Sequence, residues 1–215
     1  MSTVRRSGRP PGTSARELEL AAMRLFAEEG YEDTTVAQIA AAAGVSGRTF
    51  FRYYESKADV LWGAFDDEVA SIRAALAGLP AELPVMTAVR RAVLAVNHYR
   101  QADVPELRLR MTLIGGRPEL AASAAAHYEA WEQAVRDFVA QRSGQPPDSL
   151  YPLAVGRATL ATCRAAYERW AARADADLAV YLDAALSALA SGFGDALLVA
   201  EPAVASRGAA RPGGC

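Results

Sequence analysis

Between Thr35 and Lys57 the chain reads TVAQIAAAAGVSGRTFFRYYESK, a run that few folds can accommodate. Thr34 or Thr35 can accept a hydrogen bond from the free N–H groups of a helix's first turn. Val36, Ile39, Ala40 and Ala43 follow at i, i+3, i+4 and i+7, one apolar stripe on a short helix. Gly44 comes straight after the last periodic residue, where a left-handed conformation costs glycine little. Val45 plugs the turn, and Ser46 is a second N-cap, for a short helix expected from Gly47 to about Tyr53. Ser56 caps a third, opening at Lys57. Two short helices around a tight glycine turn, the second beginning with exposed polar residues, make a helix-turn-helix.

These residues resemble the TetR-type repressors. The shared pattern is a Thr-capped helix, then A-x-x-A-G-V-S, a variable stretch, two large apolar or aromatic residues and a closing S-K. Ala40 to Ser46, Phe50, Phe51, Tyr53, Tyr54, Ser56 and Lys57 fill those places here. Three longer stretches, ARELELAAMRLFAEEG, GRTFFRYYESKADVLW and PLAVGRATLATCRAAYERWAARADADL, are similar to the TetR-type regulators of mycofactocin biosynthesis clusters. The resemblance implies an all-α fold of about nine helices, with an N-terminal three-helix helix-turn-helix domain and a C-terminal helical ligand-binding and dimerisation domain. It implies a homodimer, an inverted-repeat DNA operator and a small-molecule effector, a long-chain acyl-coenzyme A for the mycofactocin branch.

Composition sets limits on other readings. The 215 residues can bury a core of ordinary size. No apolar run approaches the roughly 20 residues of a membrane span, and the basic N-terminus lacks the apolar segment of a secretory signal. Cytoplasmic location is therefore the expectation. Two cysteines and two histidines assemble neither a disulfide framework nor a zinc site, so no metal and no cofactor are expected. There is no G-x-S-x-G and no pair of carboxylates in an apolar setting, which argues against an enzyme. A net charge of −2 argues against a nucleic-acid binder until its distribution is considered. Arg5, Arg6, Arg9 and Arg16 all precede the first acidic residue, Glu17, and Arg48, Arg52 and Lys57 cluster around the second short helix. A local basic footprint on an acidic body suffices to meet phosphates.

The expected organisation is a basic arm over 1–13, a DNA-binding domain over 14–60, a ligand-binding and dimerisation domain over 61–200, and a tail over 201–215. Arg9 in Gly8-Arg9-Pro10 suits a minor groove. Ser14 with Glu17 reads as a capping box, and Leu18, Ala21, Ala22, Leu25 and Phe26 as the buried stripe of the first helix. The exposed face of the recognition helix comprises Ser46, Gly47, Arg48, Thr49, Arg52 and Tyr53. Arg48 suits a bidentate contact with guanine, the Thr49 methyl a thymine methyl, and Gly47 a close backbone approach. Thr35 is placed to donate to a phosphate as well as to cap. Lys57 is the only lysine in the chain, and it stands where the TetR pattern has a phosphate-contacting lysine. Phe51 departs from that pattern, which commonly has a tyrosine bonded to phosphate, so Tyr53 is the substitute candidate.

Beyond Lys57 a long helix is expected to carry Leu61, Phe65, Val69, Ile72 and Leu76 on one side and to end at Gly78 and Pro80. Further helices are expected over 84–101, 105–114, 118–142, 148–174 and 177–199. An effector pocket would be lined by His98, Met111, Ile114, Tyr128, Trp131, Val135, Phe138 and Cys163, with Arg100, Arg108, Arg110 or Arg117 near enough to its mouth to pair with phosphates. Glu106 and Arg110 also have salt-bridge spacing. The last two helices, Ala-rich on wide faces, would pair with their copies through Leu160, Ala165, Leu178, Leu182, Leu186 and Leu189. The function expected is a ligand-released repressor. The rival readings are a helical interaction adaptor that does not bind DNA, and an acyl-coenzyme A-handling enzyme.

Overall fold

The computed structural model describes residues 15–63, 65–173 and 175–192. Arg9, Ser14, Phe193 and the tail over 201–215 lie outside the described residues. All regular structure among those described is helical: α1 (Ala15–Glu28), α2 (Val36–Ala42), α3 (Gly47–Phe50), a 3-10 turn (Asp59–Trp62), α4 (Phe65–Ala77), α5 (Val85–Val96), α6 (Val104–Gly116), α7 (Pro118–Ser123), α8 (Ala125–Ser143), α9 (Leu150–Arg173) and α10 (Leu178–Ala190). They form two compact units. One holds residues up to Asp66 together with Asp103–His127, and the other holds Asp67–Ala102 with the chain from Tyr128 on.

In the first unit, α1 buries Leu18, Ala21, Ala22, Leu25 and Phe26, the stripe its spacing predicts. Gly30, at φ 91°, turns the chain away from it. Thr35 caps α2 through a complete capping box with Gln38. At the other end the Gly44 N–H donates to Ala41 O and the Val45 N–H to Ala40 O, the paired bonds of a Schellman turn. Gly44 sits there at φ 70°, a conformation a side chain would strain. Ser46 then caps α3 by accepting from the Thr49 N–H. Phe50 is fully buried, with Leu18, Ile39 and Val60 among the other fully buried residues of the unit. A fully buried phenylalanine contributes about 1.5–3 kcal/mol, which holds the short α3 in place where its own hydrogen bonds could not.

The helix expected from Lys57 is not continuous. Ser56 donates its N–H and its hydroxyl to Asp59 Oδ2, the 3-10 turn follows, and α4 opens only at Phe65. Gly63 follows the 3-10 turn. A Cβ there would fall 2.0 Å from Glu19 Oε1 and 2.7 Å from the Tyr54 hydroxyl. The Glu19 carboxylate and the Tyr54 hydroxyl thus lie close against Gly63, where any side chain would push them aside. Val60, Leu61 and Trp62 are buried in this stretch, and Trp62 stacks on His127 with centroids 5.0 Å apart.

In the second unit α10 packs chiefly on α9 and also on α5. Leu178, Leu182 and Leu186 of α10 are buried, as are Val89 and Val93 of α5. α5 ends at Val96, short of the expected 101, because the Asn97 side chain bonds back to Val93 O at 2.7 Å. The helix expected over 118–142 is two, α7 and α8, parted at the buried Ala124. The α9 residues expected to meet a copy, Leu160 and Ala165, lie off its inner face. Pro152, Gly156, Thr159, Cys163, Ala166 and Trp170 are buried, whereas Ala161 and Ala165 are exposed and Leu153, Leu160 and Tyr167 are only half-buried. A Cβ on Gly156 would stand 2.6 Å from Arg136 Cγ and 3.2 Å from Glu132 Cγ, so α8 and α9 meet where a side chain is missing.

Candidate nucleic-acid interface

Short helices have few faces, and α3 spends one of its own on Phe50. What remains points out. Ser46 and Arg48 are exposed, Gly47 and Thr49 half-buried, and a Cβ added at Gly47 meets no atom within 4 Å. Among the described residues nothing pairs with Arg48, so its guanidinium keeps all five donors for an incoming partner. One turn on, Arg52 donates to the Tyr53 hydroxyl at 3.1 Å and lies 4.8 Å from its ring centroid, with both side chains exposed. Phe51, 58 % exposed, meets Phe50 edge-on and otherwise faces solvent. Six predicted residues, Ser46, Gly47, Arg48, Thr49, Arg52 and Tyr53, thus belong to α3 and the turn that follows it.

Two other predicted contacts are engaged within the chain. Lys57 was expected at a phosphate, but its ammonium donates to Tyr31 O (2.6 Å), Thr34 O (3.0 Å) and Glu32 O (3.2 Å). An ammonium has three N–H bonds, and three carbonyls use them all. The Thr35 hydroxyl donates to Gln38 Oε1 at 2.7 Å while accepting from the Gln38 N–H at 3.2 Å, so its proton is held by the cap. Gln38 Oε1 also accepts from the Thr35 N–H at 2.8 Å, and Gln38 Nε2 donates to Glu29 at 2.8 Å. The sequence carried a signal for Gln38 that the reading passed over: Thr-x-x-Gln is capping-box spacing.

Beneath this outer surface lies a charged cluster of which the sequence showed only the Glu106–Arg110 spacing. Glu19 is 3 % exposed in the middle of α1. Its Oε1 accepts from the Tyr54 hydroxyl at 2.9 Å, and its Oε2 from Arg16 at 2.9 Å, with Arg110 Nη2 at 3.9 Å. Arg110, on α6, donates to Glu106 at 2.9 Å, confirming the predicted spacing, and to Leu61 O at 2.9 Å. Arg16 joins both carboxylates, donating to Glu106 as well. Burial, followed by the bond to Glu19, raises the Tyr54 phenol well above its ordinary range, so it stays a donor. Arg110 is therefore not free for an effector phosphate, and neither is Arg117, which donates to Glu32 at 3.2 Å.

Of the eight expected effector contacts, Met111 and Ile114 belong to the first unit, and the other six to the second. There, Trp131, Val135 and Phe138 form the buried stripe of α8, and Cys163 is buried on α9, where desolvation pushes its thiol up to about 12. Tyr128 lies half-buried with the Arg164 guanidinium 4.8 Å from its centroid, and His98 is exposed past the end of α5. An open groove of about 160 Å3 runs between α4 and α8, lined by Arg73, Leu76, Ala77, Ala134, Asp137, Phe138 and Gln141. Of the predicted lining it includes Phe138 alone. The expected dimer contacts also divide. Leu178, Leu182 and Leu186 are buried inside the protomer and cannot face a partner, whereas Leu160 and Leu189 are half-buried and Ala165 is exposed. Periodicity identified an apolar face of α10, and that face serves the chain's own core.

Two family models match the chain, over separate segments. Residues 20–62 match the family model described as bacterial regulatory proteins, tetR family, and residues 83–194 match the MftR C-terminal domain. A Mycobacterium tuberculosis protein named "Putative mycofactocin biosynthesis transcriptional regulator MftR" is 34 % identical over 188 residues, covering 87 % of this chain and 95 % of its own. The HTH-type transcriptional regulator TcmR of Streptomyces glaucescens is 33 % identical over 177 residues, covering 79 % of this chain and 78 % of its own. Among solved structures, Thermus thermophilus FadR, a TetR-family repressor in complex with lauroyl-CoA, superposes with a TM-score of 0.57 at 26 % identity, covering 94 % of this chain and all of that one. The fatty acid degradation regulator FadR of Bacillus halodurans shares the fold, with a TM-score of 0.63 at 20 % identity over 83 % of this chain and 99 % of its own.

Proposed function

The chain belongs to the TetR family of bacterial regulatory proteins, and on that premise we propose that it is a homodimeric repressor released from an inverted-repeat operator by an acyl-coenzyme A. Its relatives are transcriptional regulators, not enzymes. The observation that carries the reading is Arg48, unpaired and exposed on a Ser46-capped helix that Phe50 anchors from below. A guanidinium presented this way is suited to the O6 and N7 of guanine, with Thr49 beside it for a thymine methyl. Arg52 and Tyr53 extend the same surface towards phosphate. Two such helices in a dimer would enter successive major grooves about 34 Å apart.

Support for the effector class comes from the lauroyl-CoA held by the Thermus relative, and support for control of mycofactocin genes from the name of the Mycobacterium relative. In the second unit, Trp131, Val135, Phe138 and Cys163 supply apolar surface for an acyl chain. The groove between α4 and α8 is smaller than the roughly 300–1,000 Å3 of ordinary ligand sites, so a long chain requires helices to part. The dimer forms through the outer sides of α9 and α10, where Leu160, Ala165 and Leu189 remain available and Leu150, Tyr151 and Val180 are exposed.

The test is a fluorescence-anisotropy titration against the intergenic DNA upstream of the chain's own gene, with and without acyl-coenzyme A thioesters of graded length. Release by one length class, with affinity falling by a coupling of about 1–3 kcal/mol, is the expected result. Binding indifferent to every thioester removes the effector from the proposal. No specific binding at low salt removes the DNA reading and favours an interaction adaptor.

A further inference from the structure

The turn joining α1 to α2 is held from two sides by cations. From within the helix-turn-helix, Lys57 gives its three N–H bonds to Tyr31 O, Glu32 O and Thr34 O, and its Nζ lies 4.3 Å from the Tyr31 ring centroid. From the C-terminal end of α6, Arg117 sets its guanidinium carbon 5.3 Å from that centroid and donates from Nε to Glu32 Oε1 at 3.2 Å. Tyr31 itself is 7 % exposed, its ring tilted against Phe26 at 5.0 Å, and burial raises its phenol. Thr34 closes the turn by donating its hydroxyl to Gly30 O at 2.7 Å. The next residue is Thr35, the cap of α2, and α2 packs in turn on α3.

We propose that Lys57 and Arg117 are positioning residues for DNA docking, gripping the Tyr31–Thr34 turn between them so that the end of α6 sets where α2 and α3 stand. The proposal rests on the DNA-binding reading for its purpose but not for its mechanics. Carbonyl oxygens that converge on one ammonium fix three successive stretches of backbone relative to a single point, which no exposed ion pair does. Arg117 adds a second grip from an element far along the chain. The pairing with Glu32 is largely exposed, so its effect is modest and adjustable, whereas the three-carbonyl bond of Lys57 is the firm half. A lysine so engaged has no N–H left for a phosphate.

Hydrogen–deuterium exchange on the full chain without DNA, and anisotropy titrations against the upstream duplex over a salt series, test both halves. Lys57→Met should speed exchange in the 31–38 segment and weaken DNA binding by about tenfold or more, with the slope of log K against log salt unchanged. A slope reduced by about one, with exchange as in the wild type, would make Lys57 a phosphate contact and overturn its half of the proposal. Arg117→Ala removes a weaker contact and serves even if Lys57→Met fails to fold. It should speed exchange in the same segment and weaken binding by about two- to fivefold, and Arg117→Lys should recover most of both. Arg117→Ala indistinguishable from wild type in exchange and affinity overturns the α6 half. If the wild type binds no DNA, the docking role fails with the DNA reading, and the exchange results still decide whether the turn is clasped.

Discussion

The first unit holds two sets of charged and aromatic side chains a few residues apart in sequence, and they serve opposite ends. Arg48, Phe51, Arg52 and Tyr53 face out and make little contact with the chain. Arg16, Glu19, Tyr54, Glu106 and Arg110 converge under the helices and satisfy one another. Tyr53 and Tyr54 are neighbours, yet one is exposed and the other 7 % exposed, with its hydroxyl on a buried carboxylate. The outer set can change without cost to folding because it is solvated. The inner set cannot, because a buried charge that loses its partner costs several kcal/mol. Binding and stability are therefore separable in this unit, residue by residue.

The largest expected effect tests the inner set. Glu19→Ala deprives Tyr54 and Arg16 of an acceptor and leaves Arg110 with a smaller share of negative charge, and should cost about 3–5 kcal/mol in urea unfolding. A loss below about 1 kcal/mol would mean the cluster is solvated and the contrast unsound. Gly63→Ala should cost about 1–3 kcal/mol, because the new Cβ meets Glu19 Oε1. In a Glu19→Ala background that cost should largely vanish. Equal costs in the two backgrounds would place the strain elsewhere than on the carboxylate.

Arg48→Ala should do the reverse. Specific DNA affinity should fall by about 1–3 kcal/mol with relaxed preference at one base position, while stability stays within about 0.5 kcal/mol. An equal loss on every sequence tested would reassign Arg48 from base to phosphate.

What the sequence made legible follows the same line between outer and inner. Caps and turns are local, so Thr35, Gly44 and Ser46 announced where α2, the turn and α3 begin, although α3 ends at Phe50 and not near Tyr53. The inner cluster joins α1, α6 and the 3-10 turn, and nothing at Glu19 distinguishes it from any helical glutamate until α6 is in place. For the same reason the lysine's three carbonyls were invisible: they belong to a loop more than twenty residues earlier. Apolar periodicity misled where small residues do the packing. On α9 the buried side runs through Gly156, Thr159, Cys163 and Ala166 to Trp170, a face with little hydrophobic signal over most of its length, and at Gly156 α8 comes too close for a side chain. The leucines of α10 were correctly read as a buried face, but periodicity does not say whether a face is buried by the same chain or by a copy.

Thr35 stands between the two sets and gives the smallest effect with the sharpest meaning. It is exposed at the end of α2, as an outer residue is, but its hydroxyl both accepts from the Gln38 N–H and donates to Gln38 Oε1, as an inner residue would. Thr35→Ala removes both bonds and should lower stability by about 1 kcal/mol, with Thr35→Ser restoring nearly all of it. If capping is the whole role, DNA affinity falls only as far as α2 loosens, and the salt slope stays at its wild-type value. If the hydroxyl leaves Gln38 for a phosphate on docking, the slope falls by about one. Gln38→Ala separates these outcomes further. It weakens the cap but frees the hydroxyl proton, so a phosphate-seeking Thr35 would bind DNA no worse than before, and a purely capping Thr35 would bind it less well.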